Sequence, residues 1–281
     1  MKKIKIVAMI PARLGSTRVE NKNLRLINKK PLIQYIIDSA KNSKYLNDIY
    51  INSEASIFND LANKNKIKFY KRDISLSSDT ATNDDFTLDF IDNIKCDILI
   101  QLLATSPFLS TKEIDDFISK MIDEKLDTLI SVSDVKIEAV YKGKPINFNQ
   151  KEQTPPSQLL EPIKAYACGI MGWKTESFKG NIKKYGAAYH GGEGKIGYYE
   201  IKGYSTIDID NEEDFILAEA ISISKNMDVL EPSYYSPDDE PEIFDANVAR
   251  ILNGDGVSVN NQDSFNLEKV SINSLINKNG R

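Results

Sequence analysis

Histidine and cysteine are scarce in this chain of 281 residues: one histidine, His190, and two cysteines. A single histidine gives no support to a zinc site or to Ser-His-Asp chemistry. In the glycine-rich run Tyr189-His190-Gly191-Gly192-Glu193-Gly194 it reads as a solvent-exposed loop residue. Cys96 and Cys168 lie in apolar surroundings without CxxC spacing, so they read as free core thiols in a reducing compartment rather than a disulfide. No segment approaches the roughly 20 apolar residues that a membrane helix needs. The start, Met1-Lys2-Lys3, is basic then apolar like a signal peptide, but Pro11 and Arg13 break the apolar run. It reads as a first strand, and the expected location is cytoplasmic. Positive charge is not in excess: 36 Lys and Arg against 41 Asp and Glu give a net charge of −5. That balance argues against nucleic-acid or polybasic membrane partners. GxxxxGK[ST], GxGxxG and internal repeats are all missing, so neither a P-loop nor a dinucleotide fingerprint is present.

What is present is an ordinary globular composition, 41% hydrophobic and 27% charged, enough for a sizeable core. Strand-like and helix-like segments alternate. Strands are expected at 5–10, 48–52, 68–72, 97–102 and 128–132, and helices at 31–41, 56–64, 82–94 and 111–124. This rhythm predicts an α/β fold with a mostly parallel sheet, helices on both faces, and a ligand at the carboxyl ends of the strands. After about residue 134 the rhythm breaks. Residues 136–163 are polar and proline-containing and read as a hairpin excursion, a dimer arm or a substrate lid. A strand follows at 166–173, two short strands within 198–209, and a helix at 212–225. The expected division is one domain over 1–228, followed by a proline- and acid-rich linker and a tail over 229–281 that reads as a loose appendage or an oligomerisation arm.

Four stretches could carry chemistry. The first is the loop after the opening strand, Pro11-Ala12-Arg13-Leu14-Gly15-Ser16-Thr17-Arg18, with Lys22 and Asn23. Gly15 and Ser16 let backbone approach an anion, Arg13 can fork onto phosphate oxygens, and Lys22 can act as a point charge. An ordinary surface turn is the alternative. The second is Asp208-Ile209-Asp210. In an extended segment both carboxylates face one side, where they repel each other unless a cation lies between them, and a hard divalent ion suits oxygen donors. The alternative is a strand end capping the next helix through Asp210 or Asn211. In the third, Gln101 to Pro107, a buried strand ends in a hydroxyl-rich turn, and Gln101 is either a core hydrogen-bonding residue or a substrate reader. The fourth, Arg72 to Thr80, places a cation and short polar side chains after the third strand. It could read a base edge or merely cap the following helix.

Taken together these motifs resemble the cytidylyltransferases that activate nonulosonic acids, the CMP-sialic acid synthetase family. The resemblance covers residues 4–225 and rests on the ordered set of the opening loop, Ser78-Asp79-Thr80, the Gln101–Pro107 turn and Asp208-Ile209-Asp210. It implies a three-layer α/β/α nucleotidyltransferase fold, Rossmann-like, acting as a homodimer. It implies that Ala12, Arg13, Gly15, Ser16, Lys22 and Asn23 hold CTP, with Arg72, Ser78 and Thr80 beside the base and ribose. Gln101, Thr105, Ser106, Gln158 and Tyr166 would face an acidic sugar. Asp208 and Asp210 would hold Mg²⁺ or Mn²⁺, and Arg13, Lys22 and Asp210 would carry the catalysis. The chain departs from the family pattern at Glu20, where proline is usual, and in a turn after Gln101 that is one residue longer. The arginine and Asn-Gly pattern expected before the Tyr166 strand is also absent, with Gln158 and Lys164 in its place. The alternatives are CMP-Kdo synthesis, which Gly15-Ser16-Thr17-Arg18 partly resembles, another acid or phosphonate acceptor, and a catalytically silent nucleotide-binding assembly protein.

Overall fold

The computed structural model describes residues 3–15 and 18–225. Ser16 and the linker and tail over 229–281 lie outside the described residues.

The first strand, β1 (Ile6–Pro11), is buried on both faces, as its unbroken apolar run requires. A loop then leads to a short hairpin of β2 (Leu26–Ile27) and β3 (Lys30–Pro31). Its two-residue turn puts Asn28 and Lys29 at φ 46° and 64°, as a type I′ turn needs. Helix α1 (Leu32–Lys41) buries Leu32, Ile33, Ile36, Ile37 and Ala40, the stripe predicted from their spacing. There follow β4 (Asp48–Ser53), α2 (Ile57–Asn65), β5 (Lys68–Lys71), α3 (Asn83–Asn93), β6 (Ile98–Leu102), α4 (Thr111–Asp123) and β7 (Thr128–Val135). Capping boxes start α3 at Thr82 with Asp85 and α4 at Ser110 with Glu113.

The excursion holds a small hairpin, β8 (Val140–Tyr141) and β9 (Lys144–Pro145), and a 3₁₀ turn at Ser157–Leu159. The chain then returns as β10 (Ile163–Lys174), α5 (Thr175–Tyr185), β11 (Ile196–Glu200) and α6 (Glu212–Ser224). Helix α5 has no counterpart in the sequence reading. Only Thr175, Phe178 and Asn181 are buried on it, and Gly180 interrupts it, so its apolar signal is thin. The two short strands expected within 198–209 are corrected to one, β11, followed by a 3₁₀ turn at Gly203–Thr206 and an extended segment into Asp210.

The strand order is β11-β7-β10-β6-β1-β4-β5. Every pairing is parallel except those of β10, which runs antiparallel between β6 and β7. Side chains alternate across the sheet, so β1 feeds two cores: Ile6, Ala8 and Ile10 pack with α1, α2 and α4, while Val7 and Met9 pack with α3 and α5. The result is the three-layer α/β/α arrangement. A third cluster of Val19, Ile27, Leu32, Ile209 and Phe215 ties the opening loop to α6 and to the segment carrying the two aspartates.

Candidate functional site

The parallel register brings the carboxyl ends of four strands to one edge. Pro11 lies opposite Asn52, Ser53 opposite Lys71, and Met9 opposite Gln101. The residues just beyond those ends therefore meet: Arg13 after β1, Glu54 after β4, Arg72 after β5, and the Leu103–Pro107 turn after β6.

The opening loop is pinned at several points. Ala12 N–H donates to the Asn52 carbonyl at 3.0 Å, Leu14 N–H to Glu54 Oε1 at 2.9 Å, and Asn23 Nδ2 to the Arg13 carbonyl at 3.2 Å. Arg13 Nη1 reaches across the cleft to Asp79 Oδ1 at 2.8 Å. That contact brings the Ser78–Thr80 stretch to the rim, where the Ser78 and Thr80 hydroxyls lie 3.1 Å apart and exposed. Among the described residues nothing lies within 4 Å of where a Cβ on Gly15 would stand, so packing leaves the backbone at Gly15 open.

Lys22 is only 8% exposed. Its ammonium donates to the Ile209 carbonyl and lies 3.5 Å from Asp210 Oδ1. Burial lowers its pKa, and the charges of Asp210 and Asp208 oppose that shift. Arg18 Nη2 binds the same Asp210 oxygen at 3.0 Å. The extended segment carrying the aspartates is held by Ile209 N–H on the Thr105 carbonyl at 2.9 Å. Thr105 also hydrogen-bonds the Asp208 carboxylate. Asp208 touches solvent yet is crowded by protein, as on the floor of an open cleft. That crowding, with Asp210 beside it, pushes its carboxyl pKa up against the Thr105 bond and the Lys22 charge. Asn211 rather than Asp210 caps α6, in a capping box with Asp214, so the Asp210 carboxylate is left to face Lys22 and Arg18.

Asp208 and Asp210 are the carboxylates of this segment with the oxygen donors that a hard divalent ion takes. Among the described residues no group of three or more His, Cys, Asp or Glu side chains could hold a metal. A Mg²⁺ here would therefore rely on Asp208, Asp210 and oxygens of a phosphate ligand, its usual mode of binding.

Other predicted residues sit differently. Gln101 is fully buried; its Nε2 donates to Asn83 Oδ1 at 3.2 Å and its Oε1 accepts from Thr87 Oγ1 at 3.4 Å. Both ends of its amide are bonded to α3, the arrangement of its core reading; its placement against the sugar remains a proposal. Arg72 is 4% exposed and spends its guanidinium on Glu54, Ser77 and the Ala12 carbonyl. Ser106 is buried against Gly169, where an added Cβ would come within 3.0 Å of it. Gln158 lies on the exposed 3₁₀ turn of the excursion, its carbonyl accepting from Lys136. Tyr166 is exposed on β10 with its ring 5.5 Å from that of His190, which also packs on Tyr189. The sequence reading missed Glu54, whose signal was a carboxylate directly after an apolar strand. It also missed Tyr189, which bonds Cys168; burial pushes up the pKa of both, and the charge of Asp208 adds to it. Both cysteines are free thiols, and burial raises Cys96 to about 11.

Comparisons with known proteins bear on the family. Residues 7–155 match the model of a family described as cytidylyltransferase. The chain is 28% identical over 240 residues to post-translational flagellin modification protein B of Campylobacter coli, covering 79% of this chain and 97% of that one. It is 26% identical over 251 residues to N-acylneuraminate cytidylyltransferase A of Danio rerio, covering 85% of this chain but only 54% of the relative. A solved CMP:2-keto-3-deoxy-manno-octonic acid synthetase complexed with CTP superposes with a TM-score of 0.62 at 16% identity, over 79% of this chain and 99% of that one, and so shares the fold. With the family model matching more than half its length on the strands and loops that build the cleft, the chain belongs to the cytidylyltransferase family of nucleotidyltransferases.

Proposed function

We propose that the protein transfers CMP from CTP to the anomeric hydroxyl of a nonulosonic, sialic-acid-like sugar acid and releases pyrophosphate. The observation that carries this reading is the convergence of Arg18 and Lys22 on Asp210, beside Asp208, together with the Arg13 loop at the strand ends. The relatives named for N-acylneuraminate and flagellin modification support the acceptor class. The sugar hydroxyl attacks the α-phosphorus as its proton passes to solvent. The oxygen–phosphorus bond forms in line with the one that breaks, and pyrophosphate leaves. Arg13, Arg18 and Lys22 neutralise the charge that builds on the phosphate oxygens, and fixed positions for both substrates supply the rest. Asp208 and Asp210 are the residues that would hold a Mg²⁺, which would supply Lewis-acid stabilisation of the same charge. No protein nucleophile is required. The expected setting is the cytoplasm, where both thiols stay reduced. Among the described residues no helix is long and apolar enough to cross a membrane.

The excursion supports a homodimer. Ile137, Val140, Tyr141, Ile146 and Leu159 stand exposed on it, an apolar surface suited to a second copy of the chain.

The test is incubation with CTP, Mg²⁺ and a panel of nonulosonic acids together with Kdo, read by pyrophosphate release and product mass. A CMP-nonulosonate is expected. A Kdo conjugate would replace the acceptor, and CTP binding without turnover on any acid would favour the silent nucleotide-binding protein.

A further inference from the structure

Glu54 follows the last residue of β4 and is joined to both neighbouring strand ends. Its Oε1 accepts from Leu14 N–H at 2.9 Å. Its Oε2 accepts from Arg72 Nη2 at 3.2 Å and from Ser77 Oγ at 2.5 Å. Arg72 is the hub on the other side. Its Nε donates to Ser77 Oγ at 2.9 Å, its Nη2 also reaches the Ala12 carbonyl at 3.4 Å, and its guanidinium lies 5.3 Å from the centre of the Phe86 ring. Both side chains are sheltered, at 3% exposure for Arg72 and 13% for Glu54.

Three features set this pair apart from the charges around it. It is neutral as a pair, so it adds no attraction for phosphate; Arg13, Arg18 and Lys22 supply that. Its polar atoms are bonded inward, so Glu54 has little to offer a ligand. Every segment it holds borders the nucleotide cleft: the loop at 12–14 after β1, the turn at 72–77 after β5, and through Ser77 the stretch that ends at Asp79, the partner of Arg13. Within a low-dielectric pocket a charge-assisted network of this kind fixes geometry, and loss of one member leaves the other charge unpaired.

We propose that Glu54 is a positioning residue of the nucleotide site: through Arg72, Ser77 and the Leu14 amide it holds the phosphate loop and the base-side loop at the spacing that receives CTP. The inference rests on the reading of this cleft as a CTP site. Glu54→Gln keeps an acceptor for Leu14 N–H and removes the charge that pairs Arg72. Glu54→Asp keeps the charge on a side chain one methylene shorter.

The experiment combines steady-state kinetics and CTP calorimetry with hydrogen exchange on the free protein. In Glu54→Gln, CTP affinity and the KM for CTP should weaken by about tenfold, the size of losing a charge-assisted hydrogen bond. The acceptor KM should stay unchanged, and Glu54→Asp should recover part of the loss. Amide exchange should quicken in segments 12–15 and 72–80 but not in β7 or β10. A purely structural role would instead shift both KM values together and quicken exchange throughout. That pattern, or unchanged CTP affinity in a folded variant, overturns the proposal. Exchange is read without nucleotide. A wild-type protein that bound no CTP would defeat the functional reading, and local against global exchange in the variant would still decide whether Glu54 holds these two loops.

Discussion

Asp210 takes two cations at once, Arg18 at 3.0 Å and Lys22 at 3.5 Å. Asp210→Asn keeps the shape and removes the charge, and is expected to cost about a hundredfold in kcat, the scale of losing a principal electrostatic stabiliser. Single-turnover pyrophosphate release checks this, and unchanged turnover would remove Asp210 from the site. Glu54 carries a second prediction. Burial alone would raise its pKa, but the Ser77 and Leu14 hydrogen bonds and the Arg72 charge outweigh it and hold the carboxyl below its ordinary range. A depressed carboxyl pKa stabilises the fold above the unfolded-state value of about 4.3, and the contribution fades as pH falls through the lower folded value. Melting temperatures measured from pH 6 downward should therefore fall less steeply for Glu54→Gln than for the wild type below about pH 4.3. Parallel curves would show that Glu54 is not held in its charged form.

At the scale of elements, the helices that frame the cleft begin with caps the sequence displays openly. Ser110 caps α4 with Glu113, and Glu113 also accepts from Ser205 Oγ at 2.9 Å, in the 3₁₀ turn just before the aspartate segment. Ser110→Ala should therefore cost about 1 kcal/mol of stability, the usual value of an N-cap, read by denaturant unfolding. A loss near zero would mean that water replaces the cap. The periodic helices and the apolar strands were legible because each buries a stripe or a run whose spacing survives in one dimension. Helix α5 was not, since only three of its residues are buried and it is tied to the loop that follows it through a side-chain amide rather than an apolar stripe: Asn181 bonds the carbonyl of Glu193 at 3.1 Å and its amide N–H at 2.9 Å. The reversal of β10 was likewise hidden, because an apolar run does not say which way it points.

For the molecule as a whole, two faces of the sheet are covered by helices, while the excursion between β7 and β10 leaves apolar side chains in solvent. If a second copy covers them, Tyr141→Asp should convert the dimer to a monomer in light scattering, because an unpaired carboxylate would be buried in the contact. A wild-type monomer would dismiss the arm.

By itself the sequence determined the α/β/α class, the strand that opens the cleft, the cation-bearing loop and the aspartate pair, because each is local: a run, a cap, or two residues on one side of an extended segment. Tertiary structure decided what those residues face. The parallel register put Glu54 and Arg72 beside the loop and turned Arg72 inward. Complete burial gave Gln101 to α3, and the Thr105 turn, through Ile209, held the aspartate segment against Lys22. Partners from fourteen to nearly two hundred positions apart leave no mark on local spacing, so only the folded sheet could pair them.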